Sequence, residues 1–236
     1  MQARISDKQE IARDTMLVLL DLFGEEVDFH PGQYFWVTLP DTGHQDERGL
    51  RRHITVVTSP NERGVLGFAT RLRDTAFKRT LRDLPVGTTV DAEAPKGSFA
   101  LPDDTSRPLV FIAGGIGITV FRSMLRYIVE EGLPHQVTLV YSNRDRESTA
   151  FFEELEAMDR DHENIRVVFV MTDDPEWEGE KRRVDAGVLR EHLEGELGDY
   201  VYIAAGPPGM VEAMESVLKG AGLPEEQVLV QRFAGY

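Results

Sequence analysis

The stretch that decides the fold is Leu109-Val110-Phe111-Ile112-Ala113-Gly114-Gly115-Ile116-Gly117-Ile118-Thr119. An uninterrupted apolar run ends in three glycines and a hydroxyl residue, and apolar side chains then return at the spacing of one helix face. This pattern predicts a buried strand, a tight turn and the start of a helix. Because glycine has no Cβ, such a turn lets a ligand approach the backbone, and the amides of the helix start can bind a pyrophosphate. The stretch is a candidate dinucleotide-binding turn, with a purely structural turn as the alternative.

The glycine spacing separates this turn from the usual dinucleotide fingerprint. After Gly115-Ile116-Gly117 the chain continues with Ile118, Thr119 and Val120, where the Rossmann pattern needs a third glycine. The fingerprint is therefore not met, and a nucleotide-binding turn here has to be of another kind.

Composition narrows the class of protein. The chain has 236 residues, of which 41% are hydrophobic, enough for one large domain or two of modest size. The formal net charge of −15 argues against a nucleic-acid partner or an anionic membrane surface. The sequence holds no cysteine, which excludes disulfides, cysteine nucleophiles and a cysteine-ligated iron–sulfur cluster formed by this chain.

Further absences set expectations about metals and location. The six histidines show no metal-ligand spacing, so no metal site is expected. No apolar run approaches the roughly 18 residues of a membrane span, and the first residues lack the basic start of a signal peptide. The expected location is the cytoplasm.

The first hundred residues read as strands separated by turn residues. They are rich in β-branched and aromatic side chains, which favours an antiparallel β-barrel. One helix interrupts the barrel after Asp74-Thr75, where either side chain can serve as the N-cap. The predicted strands are 16–20, 33–39, 53–58, 65–70 and 89–94.

The pattern changes after the polar, proline-bearing segment 101–108, which marks a domain boundary. Beyond it strands and helices alternate, which predicts a parallel sheet of five strands with helices on both faces. The fold class is therefore a two-domain protein, with an N-terminal antiparallel β-barrel over residues 1–103 and a C-terminal α/β domain over residues 104–236.

Ligands of open parallel sheets lie at the carboxyl ends of the strands, so the loops there are the places to search. One loop reads Ser142-Asn143-Arg144, and its arginine and serine suit the 2′-phosphate of NADP; a solvated loop arginine is the alternative. Another reads Gly206-Pro207-Pro208-Gly209-Met210, a rigid turn consistent with backbone lying against a planar ring or with a structural turn alone.

Two segments of the first domain together suit a pyrophosphate. Arg52-His53-Ile54-Thr55 combines a cation with a hydroxyl, although a solvated strand arginine is the commoner case. The predicted helix start Thr75-Ala76-Phe77-Lys78 offers backbone amides beside an ammonium group.

In their order, these motifs resemble those of the ferredoxin–NADP reductase family of flavoproteins over nearly the whole chain. The resembling segments are Pro31-Gly32-Gln33-Tyr34 (PGQY), Arg52-His53-Ile54-Thr55 (R-x-Y-[ST]), Thr75 to Leu81 (the pyrophosphate helix), Pro95-Lys96-Gly97-Ser98-Phe99 (G-P-x-G-x-F), Ala113 to Thr119 (AGGIGITP), Ala205 to Met210 (C-G-P-x-x-M) and Phe233-Ala234-Gly235-Tyr236 (the aromatic ending).

Four positions depart from the family pattern. Ile54 stands where relatives carry an aromatic ring that packs on the flavin, and Lys78 stands where a serine is common. Val120 replaces a proline, and Ala205 replaces a cysteine near the nicotinamide. Flavin binding tolerates these changes, whereas the substitutions near the reacting rings weaken the inference of optimised hydride transfer.

The resemblance implies FAD, in preference to FMN, in the barrel and NADPH or NADH in the α/β domain. It implies catalytic roles for Thr55, near flavin N5, and for Tyr236, which stacks on the flavin face and moves during turnover. The implied cofactor-binding residues are Arg52, His53, Ile54, Thr55, Phe68, Ala69, Thr70, Ala76, Phe77, Lys78, Gly114, Gly115, Gly117, Thr119, Ser142, Asn143, Arg144, Gly206, Pro207, Met210 and Tyr236.

The implied function is transfer of a hydride from NAD(P)H to the flavin and of single electrons to a separate carrier such as ferredoxin or flavodoxin. The alternatives are an NAD(P)H:flavin or ferric reductase, the reductase component of a multicomponent oxygenase, and a non-catalytic nucleotide-binding subunit.

Overall fold

A computed structural model describes residues 1–233, and they divide into two compact units. The first unit consists of residues 1–101 together with 122–130, and the second of residues 102–121 together with the chain from 131 onward. The sequence-based boundary at 103/104 therefore does not anticipate that residues 122–130 pack with the first unit. Within the described part of the chain, no helix is long and apolar enough to cross a membrane.

The first unit is built on a six-stranded antiparallel sheet, of which the sequence predicts the antiparallel arrangement and five of the six strands. The spatial order of the strands is β4-β3-β6-β1-β2-β5. Alternate strand residues, among them Phe35, Ile54 and Phe68, are buried in one apolar core. The elements are β1 Gln2–Ala12, β2 Thr15–Asp21, β3 Tyr34–Thr38, β4 Arg51–Thr55, β5 Val65–Arg71, α1 Ala76–Asp83 and β6 Thr89–Ala92.

Strand β1 is absent from the sequence-based prediction, although it is the longest strand of this unit. Its sequence QARISDKQEIA is mostly polar, and only Ala3 and Ile5 are buried. Most of the strand is held by its pairing with β2 and with β6 rather than by an apolar face. Hydrophobic periodicity, the main sequence signal for a strand, is therefore weak here.

Strand β4 ends at Thr55, three residues before the predicted end. The amide of Val56 still donates to the carbonyl of Gln33, just before β3, over 3.0 Å, and the amide of Val57 then donates to the carbonyl of Gly67 on β5 over 2.9 Å. The amide of Gly67 in turn donates to Thr58 Oγ1 over 3.1 Å. These bonds connect the segment after β4 with β5, the two edge strands of the sheet. The sheet therefore curves into the barrel that the sequence predicts.

The second unit is a five-stranded parallel sheet with alternating helices, again as predicted. Its strand order is β11-β10-β7-β8-β9. The first strand of the unit, β7, lies in the centre of the sheet. β8 and β9 follow on one side of it, and β10 and β11 on the other. The elements are β7 Leu109–Gly114, α2 Ile118–Glu131, β8 Val137–Asn143, α3 Phe152–Asp161, β9 Ile165–Met171, α4 Ala186–His192, β10 Val201–Gly206, α5 Pro208–Gly220 and β11 Val228–Arg232. Of helix α2, residues 118–121 belong to this unit.

The turns that follow β7 and β10 pack backbone against backbone. A Cβ on Gly117 would lie 2.1 Å from the carbonyl oxygen of Ala205 and 2.9 Å from Cα of Gly206. Gly115, at the start of the same 3₁₀ turn, has φ +51°, in the left-handed region that favours glycine. Gly117 is required by the close contact of two strand ends, and Gly115 is favoured by its left-handed backbone conformation.

We predict that Gly117→Ala lowers the free energy of unfolding by about 2 kcal/mol, because a Cβ cannot fit without moving the β10 backbone. Urea denaturation followed by circular dichroism measures the change. Gly209→Ala is the matched control, since nothing lies within 4 Å of a Cβ at Gly209. Equal unfolding free energies for the two variants would contradict this account of the turn.

Candidate functional site

The start of helix α1 is an anion-binding position that one of the chain's own carboxylates fills. Thr75 is the N-cap, and its hydroxyl accepts from the amide of Lys78 over 3.3 Å. The amide of Ala76 donates to Asp46 Oδ2 over 2.7 Å. Of the two residues that the sequence left open as the cap, the structure selects Thr75.

Cationic side chains surround this helix start. Lys78 is only 5% exposed, and its burial, followed by the charges of Arg73, Arg52 and Arg48, lowers its pKa to about 8. Arg52 Nη2 lies 3.9 Å from Asp46 Oδ1. Positive charges that raise each other's energy in this way are stabilised by an anion placed among them.

Arg52 also holds the loop that precedes its own strand. Its Nη1 donates to the carbonyls of Arg48 at 2.7 Å, Gly49 at 2.9 Å and Arg51 at 2.8 Å. Its guanidinium lies 5.4 Å from the ring centroid of Phe77, the second residue of α1. The arginine predicted to bind phosphate therefore lies beside α1, as the sequence pattern requires.

The remaining predicted residues of β4 differ in their surroundings. Ile54 is buried in the apolar core, so its side chain contributes to packing inside the barrel. Thr55 is buried at the carboxyl end of the strand. His53 lies against the rings of Tyr34 and Trp36, and partial burial together with Arg48 and Arg52 lowers its pKa.

Phe68, Ala69 and Thr70 on β5 are buried, with 2% exposure at most. The ring of Phe68 packs edge-on against Phe35 at a centroid distance of 6.1 Å. Phe68 thus belongs to the core of the barrel, and the three residues form part of the interior of the first unit.

In the second unit, the predicted glycine turn brings its residues together at the carboxyl end of β7. Gly114 faces Met210, whose Sδ would lie 2.8 Å from a Cβ on that glycine. A Cβ on Gly206 would lie 2.9 Å from the same sulfur. The buried hydroxyl of Thr119 donates to the carbonyl of Ile116 over 3.0 Å and so fixes the turn.

The loop after β8 places three neighbouring residues in different environments. Ser142 is half-buried, and it pairs with Gly114 across the parallel ladder. Asn143 is buried, and neither its Oδ1 nor its Nδ2 has a hydrogen-bond partner among residues 1–233. Arg144 is exposed. Its side chain has no hydrogen bond or ion pair within the described chain.

The predicted residues therefore fall into two groups, each within one unit. Arg52, Ala76, Phe77 and Lys78 meet at the start of α1 in the first unit. Gly114, Gly117, Gly206, Pro207 and Met210 meet at the ends of β7 and β10 in the second unit. Tyr236, predicted to stack on the flavin, lies outside the described residues.

Sequence reasoning missed two features of the first unit. Asp46 is one, although Asp46-Glu47-Arg48-Gly49 has the composition of a turn in which an aspartate accepts a nearby amide. Arg122 and Ser123 on α2 are the other, and they donate to the carbonyls of Val57 at 2.8 Å and Thr58 at 2.6 Å. No sequence signal links a helix to a barrel segment 65 residues earlier.

Two family models match the chain. The model described as the oxidoreductase FAD-binding domain matches residues 2–101. The model described as the oxidoreductase NAD-binding domain matches residues 111–216. The two matches lie in the first and in the second half of the chain, in agreement with an FAD cofactor and NAD(P)H as its substrate.

Curated relatives and a solved structure extend this likeness. The reductase component DmpP of phenol 2-monooxygenase from Pseudomonas sp. (strain CF600) is 32% identical over 155 residues, 64% of this chain and 44% of that protein. Ferredoxin–NADP reductase B from Sorangium cellulosum (strain So ce56) is 29% identical over 218 residues, 89% of this chain and 87% of that protein. The cytochrome P450 reductase GcoB from Amycolatopsis has a TM-score of 0.84 at 25% identity, covering 99% of this chain and 70% of that one.

The chain spans about half the length of two of the curated relatives that it matches. The likeness to GcoB covers 99% of this chain and so includes both matched domains. With an antiparallel sheet followed by a parallel sheet, and with both domain models matched in that order, the chain belongs to the ferredoxin–NADP reductase family of flavoproteins.

Proposed function

We propose that this protein is an NAD(P)H-dependent flavin reductase, which passes electrons through bound FAD to a separate one-electron carrier such as ferredoxin or flavodoxin. We assign FAD to residues 1–103 and NAD(P)H to residues 104–236. The observation that carries the proposal is that Arg48, Arg52, Arg73 and Lys78 gather near the start of α1, where the Asp46 carboxylate accepts from the amide of Ala76.

The residues at that helix start fit a pyrophosphate. Asp46 shows that a negatively charged oxygen is bound by the amide of Ala76 and lies near the guanidinium of Arg52. A phosphate oxygen has the same charge and accepts the same hydrogen bonds. We assign the cofactor phosphates to Arg52 and to the amides of Ala76, Phe77 and Lys78.

The flavin ring is assigned to the end of β4 and to β5. Thr55 would hydrogen-bond near flavin N5, with His53, Ala69 and Thr70 beside the ring. Ile54 and Phe68 would support the ring from the barrel core, in which both side chains pack. When bound, FAD accepts a hydride equivalent and releases its electrons singly, so it connects a two-electron donor to a one-electron acceptor. The protein supplies the binding groups and a surrounding of low polarity.

The NAD(P)H site is assigned to the carboxyl ends of the parallel strands, the usual ligand position in such sheets. Gly114, Gly115, Gly117 and Thr119, with Gly206, Pro207 and Met210, would hold the nicotinamide half. Ser142, Asn143 and Arg144 would hold the adenosine half. The exposed Arg144 supports the assignment, since a guanidinium without an internal partner is available for a 2′-phosphate.

A second candidate function is that of the reductase component of an oxygenase. The names of two similar proteins favour it. DmpP is the reductase component of phenol 2-monooxygenase, and GcoB is a cytochrome P450 reductase. The present sequence contains no cysteine, so a cysteine-ligated iron–sulfur cluster would have to lie in another polypeptide segment.

Electron acceptors distinguish these candidates. We predict that the FAD-loaded protein oxidises NADPH or NADH at least tenfold faster with an added ferredoxin or flavodoxin than without a carrier. Absorbance at 340 nm measures the rate. If free flavin or a ferric chelate is reduced readily while carriers have no effect, the protein reduces small acceptors instead. Acceleration by an oxygenase component alone would favour the second candidate.

Arg144→Ala tests the 2′-phosphate assignment. We predict that it raises the Kd of NADPH by about tenfold or more and leaves that of NADH within about twofold, because only NADPH carries the phosphate. Isothermal titration measures both constants. Arg160→Ala is the matched control, since the Arg160 guanidinium is paired with Asp161. Equal losses for the two nucleotides, or none, would remove Arg144 from this role.

The lowered pKa of Lys78 makes flavin binding depend on pH. An anion favours the charged lysine, so binding above pH 8 requires proton uptake, and the affinity for FAD falls as the pH rises. We predict that the Kd of FAD rises between about pH 8 and 9.5, by at most tenfold per pH unit for one proton.

Lys78→Met should remove this rise, whereas Lys219→Met, at the exposed end of α5, should retain it. Fluorescence titration of the flavin-free protein at several pH values measures the effect. A Kd that is independent of pH in the unaltered protein would contradict the role of Lys78.

A further inference from the structure

The loop between β3 and β4 lies along helix α1 and contacts it at three places. Thr42 Oγ1 lies 3.0 Å from Thr80 Oγ1, and His44 Nε2 lies 2.6 Å from Asp83 Oδ2. Asp46 Oδ2 accepts from the amide of Ala76 over 2.7 Å. We call residues 41–50 the strap. Its contacts run from the last turn of α1 to the first, and its carboxylate lies at the helix N-terminus.

The tip of the strap, residues 46–49, is held together by its own hydrogen bonds. Asp46 Oδ1 accepts from the amide of Arg48 over 2.9 Å, and the carbonyl of Asp46 accepts from the amide of Gly49 over 3.2 Å. Arg52 completes the tip through its bonds to the carbonyls of Arg48, Gly49 and Arg51. These hydrogen bonds hold residues 46–49 together as one turn, so Asp46 leaves the amide of Ala76 only when the whole turn moves.

Two groups that hold Asp46 are the same groups that are assigned to the flavin phosphates. The amide of Ala76 has one hydrogen atom, which Asp46 already accepts at short distance. The carboxylate also lies within ion-pair distance of Arg52. A phosphate cannot take this amide while Asp46 is bound to it, and two anions in one place repel each other. Binding of the cofactor therefore requires that Asp46 withdraw.

We infer that Asp46 is an internal competitor of the flavin phosphates, and that the strap sets the affinity and the charge selectivity of the site. The inference rests on the proposed function, since it takes the flavin site to lie at α1. Without cofactor, the carboxylate neutralises part of the cationic cluster and caps the helix. With cofactor, the phosphate replaces the carboxylate, and the strap moves off the first turn.

The competitor role and a merely structural role predict opposite results for Asp46→Asn. This variant removes the charge but retains an oxygen that can accept from Ala76. Because a charged acceptor binds roughly twice as strongly as a neutral one, we expect FAD affinity to rise by about tenfold. If Asp46 only supports the fold of the site, FAD affinity stays the same or falls.

The experiment titrates flavin-free full chain with FAD, and separately with riboflavin, which has no phosphate, and follows flavin fluorescence. Asp46→Asn should bind FAD more tightly and riboflavin unchanged. Glu47→Gln is the matched control, because it makes the same charge change one residue away, where Glu47 is exposed and has no ion pair within residues 1–233. It should bind FAD within about twofold of the unaltered chain.

His44→Ala gives a second, independent variant, since it releases the strap from Asp83 without touching the assigned flavin residues. We expect it to tighten FAD binding by about two- to threefold and to lower the melting temperature of the flavin-free protein. If neither variant binds FAD more tightly than the unaltered chain, the inference is wrong, and the assignment of the flavin site is unaffected. Failure of the unaltered chain to bind FAD, FMN or inorganic pyrophosphate would overturn the proposed function and the inference together.

Discussion

The close contact between Gly117 and the carbonyl of Ala205 is the constraint on which the second unit depends. It joins the turn after β7 to the turn after β10, and these are the strands between which the sheet reverses its order. In open parallel sheets this reversal is where ligands bind. The glycines are needed first for the packing of two turns. The packing in turn places backbone and Met210 at the carboxyl ends of the central strands.

In the first unit, positive charges gather in a protein whose formal net charge is −15. Four cationic side chains converge on the start of α1, and burial lowers the pKa of one of them, Lys78. Such a cluster is costly without a counter-ion. The carboxylate of Asp46 lies 3.9 Å from the guanidinium of Arg52, one of these cations. In the proposed flavin site, a cofactor phosphate takes the place of this carboxylate.

Much of this architecture is predictable from the sequence, because its signals are local. The apolar run 109–113, the glycines after it and the cap at Thr75 each specify their element within a few residues. The longest strand of the first unit, β1, was missed because its side chains are mostly polar and exposed. The strap and the bonds from Arg122 and Ser123 to the barrel were missed because they join segments far apart in sequence. Ile54 illustrates a further limit: the sequence shows the missing aromatic ring, but only the structure shows that the side chain packs in the core.

The central claim is that the cationic start of α1 belongs to a flavin site. The most direct measurement is the visible absorption spectrum of the purified protein after incubation with excess FAD and removal of the unbound cofactor. The account predicts flavin absorption bands with about one FAD for each chain, and their loss when a charge-reversing Arg52→Glu variant is treated in the same way. A protein that stays colourless with both FAD and FMN, or an Arg52→Glu variant that retains the full amount of flavin, would contradict it.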